Sequence, residues 1–239
     1  MPSASLPEAL RAAERWLLPG ACLACGGGVG PADPLFCPAC QGRWRALPEP
    51  QCGRCGQPTA LLASGCRICA AWPDGLGRAR SAVWLDDAAR QAVHALKYDG
   101  WRRVAPLLAR RMAPLVPKHG GVTLVPIPLA AARERRRGYN QAGVLAGALA
   151  EAAGLPVAPD WLRRTRDTRT QTALTPEARR ANIAGAFSVA APLRGARVVL
   201  VDDVFTTGAT LVEAAVTLLE AGAGAVEAVT FARARPPLG

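Results

Sequence analysis

Eight cysteines within the first 69 residues constrain the fold of this 239-residue chain more than any other feature. They form two quartets, each made of two Cys-x2-Cys pairs: Cys22, Cys25, Cys37 and Cys40, then Cys52, Cys55, Cys66 and Cys69. Four thiolates at this spacing converge tetrahedrally on one zinc ion, and a glycine after the second cysteine suits the tight turn. The pattern predicts a double zinc ribbon over residues 21–79 with two structural Zn2+ sites.

Disulfides and redox dithiols use the same residues. Charged side chains interrupt the N-terminal twenty residues, so the apolar core of a signal peptide is missing and we expect reduced thiols. Four repeated pairs outside a thioredoxin-like strand–helix pattern favour metal ligands over a redox site. Whether each quartet holds its own zinc, or the pairs interleave, stays open at this point. Four thiolates fill the coordination shell, which predicts a role in scaffolding, partner docking or nucleic-acid contact.

The N-terminal segment and the lengths of the apolar runs give two further expectations. Residues 1–20 are expected to form an N-terminal helix. No apolar run reaches the roughly 18 residues that a membrane span requires, and the expected location is the cytoplasm.

Residues 80–239 show the alternating strand and helix patterns of a second domain. Apolar runs predict strands at 81–85, 122–128, 196–203 and 225–232, and three-to-four-residue spacing predicts helices at 88–98, 101–114, 140–153 and 208–221. Strands that alternate with helices indicate an α/β fold with a parallel sheet covered on both faces. Ligands of such folds bind at the carboxyl ends of the strands.

The net charge of +11 is concentrated in one region, because residues 101–180 hold 15 basic and 5 acidic side chains. This excess predicts a polyanionic or phosphorylated partner, with a plain arginine-rich surface as the alternative.

Two aspartates and a threonine-rich turn follow an apolar run in the stretch VLVDDVFTTGATL (199–211). The run predicts a buried strand with Asp202 and Asp203 at its carboxyl end. Unpaired amides at the start of the next helix, together with hydroxyls and Gly208, suit a phosphate. A threonine N-cap beside two surface aspartates would explain the turn but not the acid pair. A ribose 5-phosphate explains both, and the sequence contains neither a P-loop nor a dinucleotide fingerprint.

This stretch resembles the phosphoribosyl-pyrophosphate-binding motif of type I phosphoribosyltransferases. Further motifs narrow the resemblance to the ComF family: the cysteine quartets, LKYDG (96–100), VPIPL (125–129), RRRGYNQA (135–142), RTRDTRTQTAL (164–174) and RRANIAGAF (179–187). The resemblance spans residues 22 to about 232. It implies a parallel-sheet type I phosphoribosyltransferase domain preceded by a small double zinc-ribbon domain.

The resemblance also implies a ligand site. Asp202 and Asp203 are expected to bind ribose hydroxyls, directly or through water held by Mg2+. The 5-phosphate is expected on the turn formed by Thr206, Thr207, Gly208, Ala209 and Thr210. Pyrophosphate is expected on the loop formed by Pro126, Ile127, Pro128 and Leu129.

Two prolines remove two amide donors from that loop, so side chains must largely meet the pyrophosphate charge. Arg133, Arg136 and Arg137 are the expected side chains, with a solvated loop as the alternative, and Tyr139 and Asn140 are expected to face the ligand. Residues 164–174 resemble the hood that closes over such sites. Lys97 is interpreted as a surface residue, and His94 as structural or solvent-exposed.

Catalytic residues are unknown from the sequence. If catalysis occurs, the resemblance implies displacement of pyrophosphate at the anomeric carbon of ribose. Purine-salvage relatives carry an acid at the position matched by Thr206, and a threonine does not accept a proton at neutral pH. The acceptor is therefore not predicted.

A second function follows from the same resemblance, which implies a role in DNA uptake. Under this alternative the fold is non-catalytic, the arginines contact single-stranded DNA, and the zinc ribbon docks a helicase or DNA-processing protein. Few aromatic residues are available to stack on bases, so the sequence favours DNA binding only weakly.

Overall fold

A computed structural model describes residues 20–30, 35–58, 66–117, 120–166 and 183–235. The predicted N-terminal helix lies outside these ranges except for its last residue. The strands are β1 (Leu76–Trp84), β2 (Val122–Pro126), β3 (Leu162–Arg164), β4 (Phe187–Val189), β5 (Arg197–Phe205) and β6 (Ala225–Arg233). The helices are α1 (Pro38–Gly42), α2 (Asp87–Lys97), α3 (Ala105–Met112), α4 (Ala131–Arg137), α5 (Gln141–Ala153) and α6 (Ala209–Glu220).

Four strands form a fully parallel sheet in the order β1-β6-β5-β2, and β3 and β4 form a separate antiparallel pair. The predicted α/β class is confirmed. The main difference in bounds is that β1 begins at Leu76 rather than at residue 81, so it crosses the division that we place between residues 79 and 80. That division stays a proposal.

Helices differ from the prediction at two places. The helix predicted at 101–114 is the shorter α3, which follows one 3-10 turn and precedes another. The arginine run, for which no helix was predicted, forms α4, and Gly138 with a positive φ of 82° follows its last residue.

The β-branched residues of the sheet divide between two cores because alternate side chains point to opposite faces. Val199 and Val201 of β5 pack with α2, α3 and α5 on one face. Val198 and Leu200 pack with α6 and the β3–β4 pair on the other face. The apolar runs are continuous because both faces are covered.

The cysteine-rich segment covers the edge strand β1. The amide of Ala79 donates to Arg54 O at 2.8 Å, and the amide of Trp84 donates to Arg45 O at 2.8 Å. The first quartet lies with the core on one face of the sheet, and the second quartet lies with the core on the other. The ribbon therefore straddles the edge and supplies acceptors to backbone amides that an open edge would leave to water.

Trp44 anchors the first half of the ribbon to the sheet. Its ring lies 5.6 Å from Phe36 and 5.2 Å, edge-on, from Phe231 of β6, and its Nε1 donates to Ala88 O at 3.2 Å. Trp44 is 4% exposed. This burial joins the ribbon and the sheet into one core.

In the part of the chain that is described, no helix has the length and apolarity that crossing a membrane requires.

We expect Trp44→Ala to lower the free energy of unfolding by about 3–5 kcal/mol, since it leaves a cavity between the ribbon and the sheet. Urea denaturation measures the loss. Trp101→Ala is the matched control, because Trp101 is 41% exposed and its removal should change stability by less than about 0.5 kcal/mol. Equal losses in the two variants would contradict the shared core.

Candidate functional site

A cleft of about 520 Å3 lies at the carboxyl ends of the sheet strands. Eight residues predicted to contact ligand line it: Asp202, Asp203, Thr206, Thr210, Ile127, Pro128, Leu129 and Arg133. Elements far apart in sequence meet here because parallel strands end at one edge of the sheet. Eight other residues predicted to contact ligand do not line this cleft. They are Pro126, Tyr139, Asn140, Thr207, Gly208 and Ala209, together with the predicted pyrophosphate contacts Arg136 and Arg137.

Asp203 is the buried anchor of the cleft, with 2% of its surface exposed. Lys97, the last residue of α2, places its Nζ 2.5 Å from Asp203 Oδ2. Gln141, the first residue of α5, donates from Nε2 to Asp203 Oδ1 at 3.3 Å. Burial alone would raise the pKa of Asp203, but the Lys97 charge and these hydrogen bonds hold it below the ordinary value. Asp203 is therefore an ionised carboxylate that joins a strand to two helices.

Asp202 has the opposite electrostatic state although it is the adjacent residue. It is partly exposed, and its Oδ1 accepts from the amide of Asp203 at 2.8 Å. Burial and the negative charge of Asp203 raise its pKa well above the ordinary value. Of the two acids, Asp202 is the one whose ionised form needs a cation or hydroxyl donors from a ligand.

The turn from Thr206 to Thr210 ends in the first residues of α6. Gly208 has a φ of 81°, and a Cβ there would lie 2.8 Å from Phe205 Cζ, so both conformation and space require glycine. Thr207 Oγ1 accepts from the amide of Ala209 at 3.4 Å. Thr206 is exposed and Thr210 partly exposed in the cleft, beside the positive end of a twelve-residue helix.

The proline-rich loop has few donors to offer a ligand. Pro126 and Pro128 lack an amide hydrogen, and the amide of Ile127 donates to Val201 O at 2.9 Å within the sheet. Leu129 keeps an amide hydrogen, so one backbone donor remains in this loop and most anion contacts on this side of the cleft must come from side chains.

Tyr139 and Asn140 hold the framework around the cleft. Tyr139 is buried, and its hydroxyl donates to Leu96 O at the end of α2. Asn140 Oδ1 accepts from the amide of Ala142, and its Nδ2 donates to Ile127 O at 3.0 Å. The structure gives these two side chains partners within the protein, and direct ligand contact remains only a prediction for them.

A second cavity of about 380 Å3 adjoins the cleft and shares Lys97, Tyr98 and Arg133 with it. Arg136 and Arg137 line this cavity together with Asp99 and Gly100. The three predicted arginines thus border the combined space, with Arg133 at the junction.

The predicted hood falls largely on residues 167–174, which lie outside the described residues. Its first residue, Arg164, ends β3 and lines the cleft.

Sequence reasoning missed the role of Lys97, which it placed on the surface. A usable signal exists, because Lys97 follows the buried Val93 by four residues and so shares its helix face. Gln141 precedes the buried Leu145 and Leu149 at the same spacing. His94 also lines the cleft, exposed and 3.2 Å from Asp99.

Each cysteine quartet fits a zinc ion. The ligands group as consecutive quartets, with all sulfur atoms of a quartet within 4.8 Å of one another, and all eight thiols are free. Cys52–Cys69 and Cys25–Cys37 have Sγ–Sγ distances of 3.7 and 3.8 Å. Zinc–sulfur bonds of about 2.3 Å in a tetrahedron give a sulfur spacing of about 3.8 Å. The predicted double ribbon with two four-cysteine sites is confirmed, and the pairs do not interleave.

Comparisons with known proteins bear on both parts of the chain. Residues 104–237 match the phosphoribosyl transferase domain family, and residues 13–72 match the double zinc ribbon domain family. DNA utilization protein YhgH of Salmonella typhimurium is 33% identical over 74% of this chain and 81% of its own length. Competence protein F of Haemophilus influenzae is 31% identical over 89% of this chain and 96% of its own length. Competence protein ComFC of Bacillus subtilis is 29% identical over 84% of this chain and 85% of its own length.

Substitution of the two aspartates by asparagine should have different effects on the free energy of unfolding. Asp203→Asn removes the carboxylate nearest the partly exposed Lys97 ammonium and should lower the free energy of unfolding by about 1–3 kcal/mol. Asp202→Asn replaces a carboxyl group whose ionised form the fold opposes, so stability should stay equal or rise. Urea unfolding at neutral pH without added metal compares them, and equal losses would contradict the assigned states.

Proposed function

We propose that this chain, which belongs to the phosphoribosyl transferase domain family in its ComF form with a double zinc ribbon, binds the ribose 5-phosphate part of phosphoribosyl pyrophosphate. One observation carries the proposal. A single cleft is lined both by a partly exposed carboxyl group, that of Asp202, and by Thr206 and Thr210 of the turn at a helix N-terminus. A sugar that carries both hydroxyls and a phosphate matches this combination of an acceptor with anion-binding donors.

The residues divide between three parts of the ligand. Asp202 accepts from the ribose hydroxyls, while Asp203 holds Lys97 and keeps the cleft floor in place. Thr206, Thr210 and the amides at the start of α6 receive the 5-phosphate. The pyrophosphate lies toward Arg133 and the adjoining arginine-lined cavity, because the proline loop offers few amide donors.

Mg2+ is the cation we propose with this ligand. Asp202 offers a hard carboxylate oxygen, which suits Mg2+, and the bound ion supplies neutralisation of pyrophosphate charge. Ionised Asp202 and the arginines orient the ligand from the protein side.

The proposal extends to binding and leaves the acceptor and turnover open to experiment. Displacement of pyrophosphate at the anomeric carbon would place positive charge on the ring near the aspartates and negative charge near the arginines. Thr206 supplies no base at neutral pH, and no other residue is assigned that role.

A second function, the binding of single-stranded DNA during its uptake or use, is favoured by a surface observation. Tyr98 and Trp101 are exposed by 65% and 41%, and the Arg137 guanidinium lies 5.3 Å from the Tyr98 ring. Exposed aromatic rings beside arginines suit stacked bases and phosphates. Two of the relatives are named competence proteins and one a DNA utilization protein. We propose that this surface continues the cleft toward DNA in the cytoplasm, and that the ribbon docks a helicase or DNA-processing partner.

Ligand binding is tested by thermal unfolding with phosphoribosyl pyrophosphate and Mg2+. A ligand at about 100 times its Kd should stabilise the protein by about 2.7 kcal/mol, seen as a raised Tm. Asp202→Asn should abolish the rise without lowering the Tm of the free protein. Asp160→Asn, an exposed acid that does not line the cleft, should retain it. An unchanged Tm in the wild type, or a full rise in Asp202→Asn, would overturn the proposal.

DNA binding is tested by measuring the affinity for a single-stranded oligonucleotide at several salt concentrations. The logarithm of affinity should fall linearly with the logarithm of salt concentration. Tyr98→Ala and Trp101→Ala should each weaken binding by about 1–3 kcal/mol. Val157→Ala, which is also exposed at 39%, is the control and should bind normally. Normal binding by both aromatic variants would refute this surface.

A further inference from the structure

Arg233, the last residue of β6, joins the second cysteine quartet to the sheet. Only 1% of its surface is exposed. Its Nη1 donates to Cys55 O at 2.8 Å, and its Nε donates to Gln57 Oε1 at 3.0 Å. Its Nη2 lies 4.0 Å from Cys55 Sγ. Arg233 therefore contacts both the backbone and the sulfur of one zinc-ligand turn.

The charge of Arg233 is balanced by this quartet. Among the described residues, no carboxylate lies within ion-pair distance of its guanidinium. Burying an unpaired cation is costly, whereas four thiolates around one divalent cation leave a group with about two negative charges. The filled quartet thus supplies the counter-charge that keeps Arg233 in its buried position.

The other side of the same guanidinium meets the threonine turn. It lies 4.0 Å over the ring of Phe205, the residue that directly precedes Thr206. The Phe205 ring fills the space beside Gly208, where a Cβ would be 2.8 Å from Phe205 Cζ and 3.6 Å from Trp72 Cζ2. Trp72 itself follows the second quartet, with its amide donating to Cys69 O at 3.2 Å. The backbone of the turn consequently packs on two rings that the second quartet holds.

The first quartet differs in its surroundings. It lies with the opposite core, where Phe36, Trp44 and Phe231 cluster. The two quartets are similar in ligands but differ in what they support.

We propose that Arg233 is a positioning residue that couples the second cysteine quartet to the Thr206–Thr210 turn, so that loss of metal from this quartet, but not from the first, loosens the turn. The inference concerns the order of the turn itself. It holds whether the turn receives phosphoribosyl pyrophosphate or another anion.

Amide hydrogen exchange of the full chain without ligand tests the coupling. Cys52→Ser with Cys66→Ser removes two partly exposed ligands of the second quartet, and Cys25→Ser with Cys37→Ser removes two of the first. Each double variant should bind one zinc per chain rather than the two of the wild type. Exchange in the turn should rise by about tenfold or more in the second-quartet variant alone. Equal exchange in both variants would overturn the proposal.

Single arginine variants keep the test decisive if a quartet variant fails to fold. Arg233→Met should retain two zinc ions and speed exchange in the turn, while the amides of β1 and the end of α6 exchange as in wild type. Arg80→Met is the matched control, because Arg80 donates to Gly53 O at 2.8 Å in the same ligand turn, away from the Phe205 ring. Wild-type exchange in Arg233→Met, or faster exchange throughout the sheet, would refute a positioning role. Neither outcome depends on whether phosphoribosyl pyrophosphate binds.

Discussion

The coverage of the edge strand β1 by the cysteine-rich segment is the constraint on which the rest of this structure depends. A small segment with few large apolar residues has little core of its own, so metal ligation must fix its conformation. Once fixed, its backbone accepts from Ala79 and Trp84, and its aromatic residues enter the cores on both faces of the sheet. The sheet and the ribbon therefore complete each other rather than standing as independent units.

The cleft uses burial to give two adjacent carboxylates different tasks. Asp203 directs its charge into the protein, to Lys97 and Gln141, and thereby holds α2 and α5 against β5. Asp202 stays partly exposed with a pKa raised by burial and by its neighbour, so binding of a cation or hydroxyl donor would relieve an existing electrostatic cost. The acid pair needs this division, because two ionised carboxylates in one small cleft would repel each other.

Much of this arrangement was predictable from local sequence, and the exceptions share a cause. The quartets follow from ligand spacing, and the strand ends follow from apolar runs, because both are determined by neighbours in sequence. Helix spacing from Val93 signals that Lys97 faces inward, but no local pattern identifies its partner Asp203. The inward direction of Tyr139 likewise arises from packing between α2 and the residues before α5. The early start of β1 was missed because its first residues include two arginines with tertiary partners rather than alternating apolar residues. Arg80 donates to carbonyls of the ribbon, and Arg78 pairs with Glu227 of β6. The arginine run forms α4, since a run of arginines is a good helix former even when its outer face is solvated.

The opposite edge of the sheet is also partly closed, because the amide of Leu124 in β2 donates to Pro156 O and Leu124 O accepts from the amide of Ala158. Strand addition from another molecule would have to displace this segment on one side or the cysteine ribbon on the other. Metal ligation fixes the segment that covers β1, so we expect loss of zinc to open this edge to strand addition by another molecule.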